Sequence, residues 1–167
     1  MIRRFFALAA LLLGLLAALP PLPPLPSAAQ TRPPAAAAAA IFTELAIESG
    51  GKTHKFRVEV AANDADRQRG LMYRREMAAD AGMIFDFGYE QPVSMWMANT
   101  YIPLDMLFIG ADGKVAHVAA RTVPESRATV TAGKPVRYVL ELNGGTAERL
   151  GITAGAQVRH ALLGNLR

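Results

Sequence analysis

Two acidic residues stand inside runs that are otherwise apolar: Asp105 in LDMLFI (104–109) and Glu141 in YVLEL (138–142). An ionised carboxylate removed from water costs several kcal/mol unless it is paired or hydrogen-bonded, so each needs a partner. Alternation along a strand groups Leu104, Met106 and Phe108 on one face and Asp105, Leu107 and Ile109 on the other. In the second run Tyr138, Leu140 and Leu142 oppose Val139, Glu141 and Asn143. Arg67, Arg69 and Arg74, which flank GLMYR (70–74), are partners of the right type. Two roles are open. The acids form a structural network that pins a small helix to a sheet, or they work as an acid–base pair of a hydrolase or lyase. The second role requires the carboxyl groups within about 5 to 9.5 Å of each other over an accessible groove.

A second concentration of chemistry is SMWMANTYIPLD (94–105). It holds the only tryptophan, Trp96, between Met95 and Met97, followed by Asn99, Thr100 and the X-Pro step Ile102-Pro103. Large apolar groups on both faces of the alternation predict an interior strand with Trp96 in the core. The other reading makes Trp96 a flat platform in a cleft with the methionines as adaptable walls. The residue before a proline is driven toward extended backbone, so the chain turns through Asn99 to Tyr101 and re-enters a strand at Leu104. Asn99 and Thr100 either bond local backbone, as turn residues do, or offer donors and acceptors to a ligand.

Other chemistry is sparse. His54, His117 and His160 lie far apart and show no metal-ligand spacing, so no metal and no cofactor is expected. Ser94, Ser126 and Thr100 lack a nucleophile-elbow context. Asn143-Gly144-Gly145 reads as a strand-to-helix turn rather than an anion site. The absence of cysteine excludes disulfides, thiolate metal sites and a cysteine nucleophile.

The elements that must position these residues are short strands. Thr43–Glu48 and His54–Val60 form a hairpin through Ser49-Gly50-Gly51-Lys52. Asn63 caps a short helix that ends near Gly70. Gly82–Phe87 and Pro92–Met97 are strand-like and separated by a turn at Gly88; LDMLFI and Lys114–Ala120 pair through Ala111-Asp112-Gly113. Residues 124–133 read as a polar loop. Val136–Leu142, a short helix at Ala147–Leu150 and a last strand at Gln157–Leu162 complete the chain. The expected fold is all-β, a compact sandwich or jelly-roll-like domain of about eight short strands with two small helices, without repeated βα units.

The first 40 residues differ in kind. Arg3-Arg4, the apolar Phe5–Leu19 and a Pro-rich stretch ending in Ser27-Ala28-Ala29 predict a secretory signal peptide over 1–29. The apolar run is short of the ~20 residues that span a bilayer. Membrane attachment is therefore expected only if this segment stays uncleaved. Residues 30–40 (QTRPPAAAAAA) read as a disordered Pro/Ala-rich tether, and 41–167 as the folded domain. Export to the periplasm or the extracellular space is expected. The chain carries 18 Lys+Arg against 14 Asp+Glu, and setting aside Arg3 and Arg4 leaves 16 against 14. That balance, with no basic stripe, argues against a nucleic-acid partner.

Five blocks occur in fixed order: GLMYR (70–74), GMIFDF (82–87), WMANT-x-IPLDMLFI (96–109), DGKV (112–115) and YVLELNGGTAERLGI (138–152). On these blocks the chain resembles the DUF192 family of small exported or membrane-tethered bacterial and archaeal proteins, over roughly Phe56 to Val158. The resemblance implies a compact, mainly β fold of sandwich or jelly-roll type and no particular reaction. Two positions depart from the family pattern: Ala98 where a lysine is usual, and Ala156 where Gly-Asp is usual. The loss of the lysine removes an anion contact if relatives use it so. The expected function is a non-catalytic binding module for a small molecule, a glycan or an envelope partner. Trp96 or Tyr73 would stack, Asn99 and Thr100 would hydrogen-bond, and Arg74 would meet an acidic group, with Asp105 and Glu141 nearby. The alternatives are the hydrolase or lyase above and a purely structural envelope module.

Overall fold

The computed structural model describes residues 41–166; the expected signal peptide and tether lie outside the described residues. The first strands, β1 (Thr43–Ser49) and β2 (Lys52–Ala61), form an antiparallel hairpin. Its turn is Gly50-Gly51, both at positive φ (56° and 72°), the geometry that matches the twist of a two-residue hairpin. Helix α1 (Asp64–Arg69) follows, with the Asn63 side chain accepting from the Asp66 N–H at 2.9 Å as its cap. The chain then enters β3 (Ala81–Gln91), which pairs parallel with β2, Val58 opposite Gly82 and Val60 opposite Ile84. From sequence no repeated βα unit is expected, and a single one is present. This crossover places α1 and residues 70–80 outside the sheet.

The remaining main strands are β5 (Leu104–Ile109), β6 (Val115–Thr122), β8 (Val136–Asn143) and β9 (Gln157–His160); of the two ribbon strands, β4 (Ser94–Met95) precedes β5 and β7 (Val130–Thr131) follows β6. The seven-stranded sheet runs β6-β5-β8-β3-β2-β1-β9, and β4 and β7 pair separately. The large sheet curls until its ends approach: Lys114 bridges Gln157, Val115 N–H donates to the Ala156 carbonyl and Val158 N–H to the Gly113 carbonyl. The fold is thus all-β, a curled barrel-like sheet of seven strands and a two-stranded ribbon, with two small helices, α1 and α2 (Thr146–Leu150). No helix among the described residues is long and apolar enough to cross a membrane.

Three expected boundaries move. β3 passes Gly88 (φ 84°) by a bulge between Asp86 and Gln91 rather than ending in a turn. Of Pro92–Met97 only Ser94–Met95 pairs, and it pairs with Val130–Thr131 inside the expected loop. The last strand stops at His160, and Ala161–Leu163 form a 3₁₀ turn. There the Leu162 N–H donates to His160 Nδ1 at 3.2 Å, so Nε2 carries the proton and faces Thr43 Oγ1 at 2.8 Å. Burial lowers the pKa of this imidazole.

Both faces of the sheet are covered, which is why LDMLFI is buried at all six positions. Leu45, Phe56, Ile84, Leu107, Leu140 and Val158 belong to the cluster on one face. Met83, Phe85, Met97, Leu104, Met106 and Phe108 belong to the cluster on the other. Asn143 Nδ2 reaches the carbonyls of Met77 and Ala78 at 3.1 and 2.9 Å and fastens part of the crossover segment to β8. The β3–β8 contact has no slack at Gly82. A Cβ there would lie 2.6 Å from the Glu141 carbonyl oxygen and 2.8 Å from Leu142 Cδ2. Gly82→Ala is therefore expected to destabilise the domain by about 1–3 kcal/mol in urea denaturation. A change within experimental error would show that the two strands can part.

Candidate functional site

Next to the indole only Ser94–Met95 pair as a strand, and this decides the environment of Trp96. Met97 points inward and is 1% exposed, whereas Trp96 is 47% exposed. Among the described residues no layer packs over the outer face, so the expectation of a core tryptophan is corrected. Trp96, Ser94 and Met95 instead form one wall of a groove. The end of α1 and residues 70–72 form the opposite wall, with Phe85 and Phe87 of β3 and Thr100 also lining it. The groove encloses about 210 Å³. Gly70 (φ 46°) brings the wall close to the floor: a Cβ there would sit 3.2 Å from the Phe85 ring.

Three loops converge beside the groove. Tyr73 N–H donates to the Asn99 carbonyl, Glu125 N–H to the Thr100 carbonyl and Met97 N–H to the Ser126 carbonyl. Among the described residues, the non-glycine residues at positive φ are Tyr73 (65°), Asn99 (58°), Arg121 (50°) and Glu125 (59°). Tyr73, Asn99 and Glu125 lie in these loops, and Arg121 lies in β6 at its bulge against β5. Each such conformation costs of order 1–3 kcal/mol, less for Asn, and persists only where the surroundings impose it.

The seven expected binding residues separate. Trp96 and Thr100 line the groove. Thr100 is buried, and its hydroxyl has only a long 3.4 Å contact to the Ala98 carbonyl. Asn99 is exposed in the adjacent turn, with Nδ2 3.8 Å from Met72 Sδ. Tyr73, 60% exposed, packs edge-on against Tyr101, and Arg75 lies over the Tyr101 ring at 5.6 Å. Arg74 is already committed: its guanidinium forms a bidentate pair with Glu59 at 2.6 and 2.7 Å. Its expected role toward an acidic ligand is corrected accordingly.

Asp105 and Glu141 do not meet. In the β5–β8 ladder Asp105 is opposite Leu142 and Met106 is opposite Glu141. Cross-strand partners share a face and sequential residues alternate, so the two acids lie on opposite faces. The acid–base pair therefore has no common cleft. Asp105 is fully buried and satisfied by backbone. Its Oδ1 accepts from Arg121 N–H at 2.7 Å and Gly145 N–H at 2.9 Å, and its Oδ2 accepts from Ala147 N–H at 2.7 Å. The bulge between the Leu104 and Met106 pairs of β5–β6 turns the Arg121 N–H toward the acid. Gly145, at φ 89°, offers no side chain to cap α2, so Asp105 supplies the acceptors from another strand. Arg67, Arg69 and Arg74, the expected partners, make no hydrogen bond to it. The pinned helix is α2, and amides rather than guanidiniums hold it.

Glu141 is 4% exposed, and among the described residues no donor reaches its carboxyl. It sits between its ladder partners Met83 and Met106. Burial pushes its pKa up to about 8. Arg67 is occupied by Asp64 and by the carbonyls of Ala62 and Asp86. Groove-lining residues not singled out from sequence include Asp64, Gln68, Met72, Phe85 and Phe87. Phe85 and Phe87 arrive through the parallel β2–β3 crossover, for which no local pattern gives a signal. Met72, inside GLMYR, stood beside a residue already singled out.

The DUF192 family profile, described as an uncharacterized ACR, matches residues 45–160. A solved structure from Sinorhizobium meliloti 1021, described provisionally as a transcription regulator, is 47% identical with a TM-score of 0.71, covering 73% of this chain and 95% of that one. A protein of unknown function from Novosphingobium aromaticivorans DSM 12444 is 39% identical with a TM-score of 0.69, covering 71% of this chain and 84% of that one. No curated protein matches the chain. The profile covers well over half the sequence and spans all five of the ordered blocks, and the chain belongs to the DUF192 family.

Proposed function

We propose that the domain is a non-catalytic, exported binding module that receives one ring of a small molecule or glycan in the groove beside Trp96. The observation that carries this reading is a half-exposed indole in the wall of an apolar-floored groove. A large aromatic surface is left in contact with water there although the fold has a core to receive it. The groove is smaller than the ~300–1,000 Å³ of sites that enclose a whole drug-sized ligand, so it suits one ring of a ligand whose remainder lies outside. The convergence of loops in costly backbone conformations beside it supports the same location. Export rests on the basic, apolar and small-residue order of residues 1–29.

Gene regulation, the provisional role of the Sinorhizobium meliloti neighbour, has less support in this chain. Helices α1 and α2 are six and five residues long, too short to lie along a DNA major groove as recognition helices do.

Trp96 is the only tryptophan, so its fluorescence reports on the groove alone. A panel of monosaccharides and small aromatic compounds is expected to contain members that change this emission saturably and raise Tm. Trp96→Ala is expected to abolish the Tm increase while lowering stability by less than about 1 kcal/mol, because a half-exposed side chain loses little packing. A panel without any saturable response, or a variant that loses several kcal/mol, would return Trp96 to a structural role.

A further inference from the structure

Resting on that reading of the groove, we infer that its ligand is an anion: a ring that stacks on Trp96 and carries a carboxylate or phosphate that meets Arg69. The charged residues lining the groove are Asp64, Arg67 and Arg69. Asp64 and Arg67 neutralise each other as an ion pair three positions apart on α1. Arg67 is further held by two backbone carbonyls at 2.6 and 2.7 Å and lies over the Phe87 ring at 5.7 Å, so its donors face the protein. Arg69 is different. It is exposed, and among the described residues its side chain makes no ion pair and no hydrogen bond. Its backbone carbonyl is fixed by the Met72 N–H, which anchors the residue at the rim.

The groove thus has one uncompensated positive charge beside an apolar floor. Guanidinium is the side chain best suited to bidentate capture of a carboxylate or phosphate. Charge complementarity selects an anionic ligand, and the floor selects a ring. A neutral sugar or neutral aromatic compound would satisfy the floor and leave the guanidinium to water. A cationic ligand would be repelled, since the one carboxylate that lines the groove among the described residues is already paired.

The test uses matched pairs that differ in charge and not in ring: phenylacetate against phenethyl alcohol, and glucuronate against glucose. Binding to the folded domain is followed by NMR through the single indole N–H resonance of Trp96. The acid of at least one pair is expected to shift this resonance with an affinity about tenfold above its neutral partner. Raising salt is expected to narrow the gap. In Arg69→Gln the acid and the neutral compound are expected to bind alike, and in Trp96→Ala neither binds, as judged by calorimetry. Equal binding of acid and neutral partner to the unaltered domain overturns the charge assignment and leaves the groove reading intact. A preference for the acid that survives Arg69→Gln overturns the assignment to Arg69. No shift with any of the four compounds at millimolar concentration overturns both readings.

Discussion

Replacing Asp105 by alanine is expected to destabilise the domain by about 3–6 kcal/mol in chemical denaturation. The carboxylate is the acceptor for three backbone N–H groups, of Arg121, Gly145 and Ala147, at 2.7–2.9 Å. A buried donor stripped of its partner costs roughly 1–3 kcal/mol. Two of these donors belong to the start of α2, which has no side-chain cap of its own. Amide exchange of Gly145 and Ala147 is therefore expected to accelerate along with the loss of stability. Asp105→Asn keeps one acceptor oxygen and should lose about half as much. The groove beside Trp96 is built from other segments, so ligand responses should persist in Asp105→Asn below its melting temperature. A loss under 1 kcal/mol with both amides still protected would mean that Asp105 is not the cap.

Glu141 should dominate the pH dependence of stability on the alkaline side. Its folded pKa is raised from 4.5 to about 8, because burial between Met83 and Met106 disfavours the charged form. Below pH 4.5 the acid is protonated in both folded and unfolded chains and imposes no penalty. Above it the unfolded chain releases the proton while the folded domain retains it, so stability falls as pH rises and levels off near pH 8. Across that window the loss amounts to several kcal/mol, at about 1.4 kcal/mol for each pH unit. Glu141→Gln cannot ionise, and Glu141→Met also matches its ladder neighbours. Both are expected to flatten this slope and to be more stable than the parent domain at pH values above 8. His160 acts with the opposite sign. Burial lowers its pKa, so its contribution is present above its unfolded value and falls only as the solution becomes more acidic. Denaturation midpoints across pH in Glu141→Gln separate the two, since the fall in stability with rising pH should vanish while the acid limb to which His160 contributes remains. An unchanged slope in Glu141→Gln would show that the carboxyl is solvated in the folded state.

Local rules were sufficient for much of the fold. Period-two alternation and glycine placement specify the β1–β2 hairpin through Gly50-Gly51, because only a residue tolerant of positive φ closes a two-residue turn of that hand. The Asn63 cap of α1 follows from side-chain chemistry within three residues. The presence of acids in LDMLFI and YVLEL also made it legible that something must compensate or neutralise them. What compensates Asp105 was not legible. Arginine is the default partner by type, but backbone amides of an uncapped helix are invisible in a residue string.

By itself, the sequence determined an all-β domain of short strands, the turns of its β1–β2 and β5–β6 hairpins and the burial of two carboxyl groups, because these depend on neighbours a few positions apart. Tertiary structure alone decided the parallel β2–β3 pairing, the separation of Asp105 from Glu141 and the exposure of Trp96. Alternation says which residues share a face of one strand; it does not say what covers that face. That depends on which distant segments pack there, and here the loops stop short of the indole.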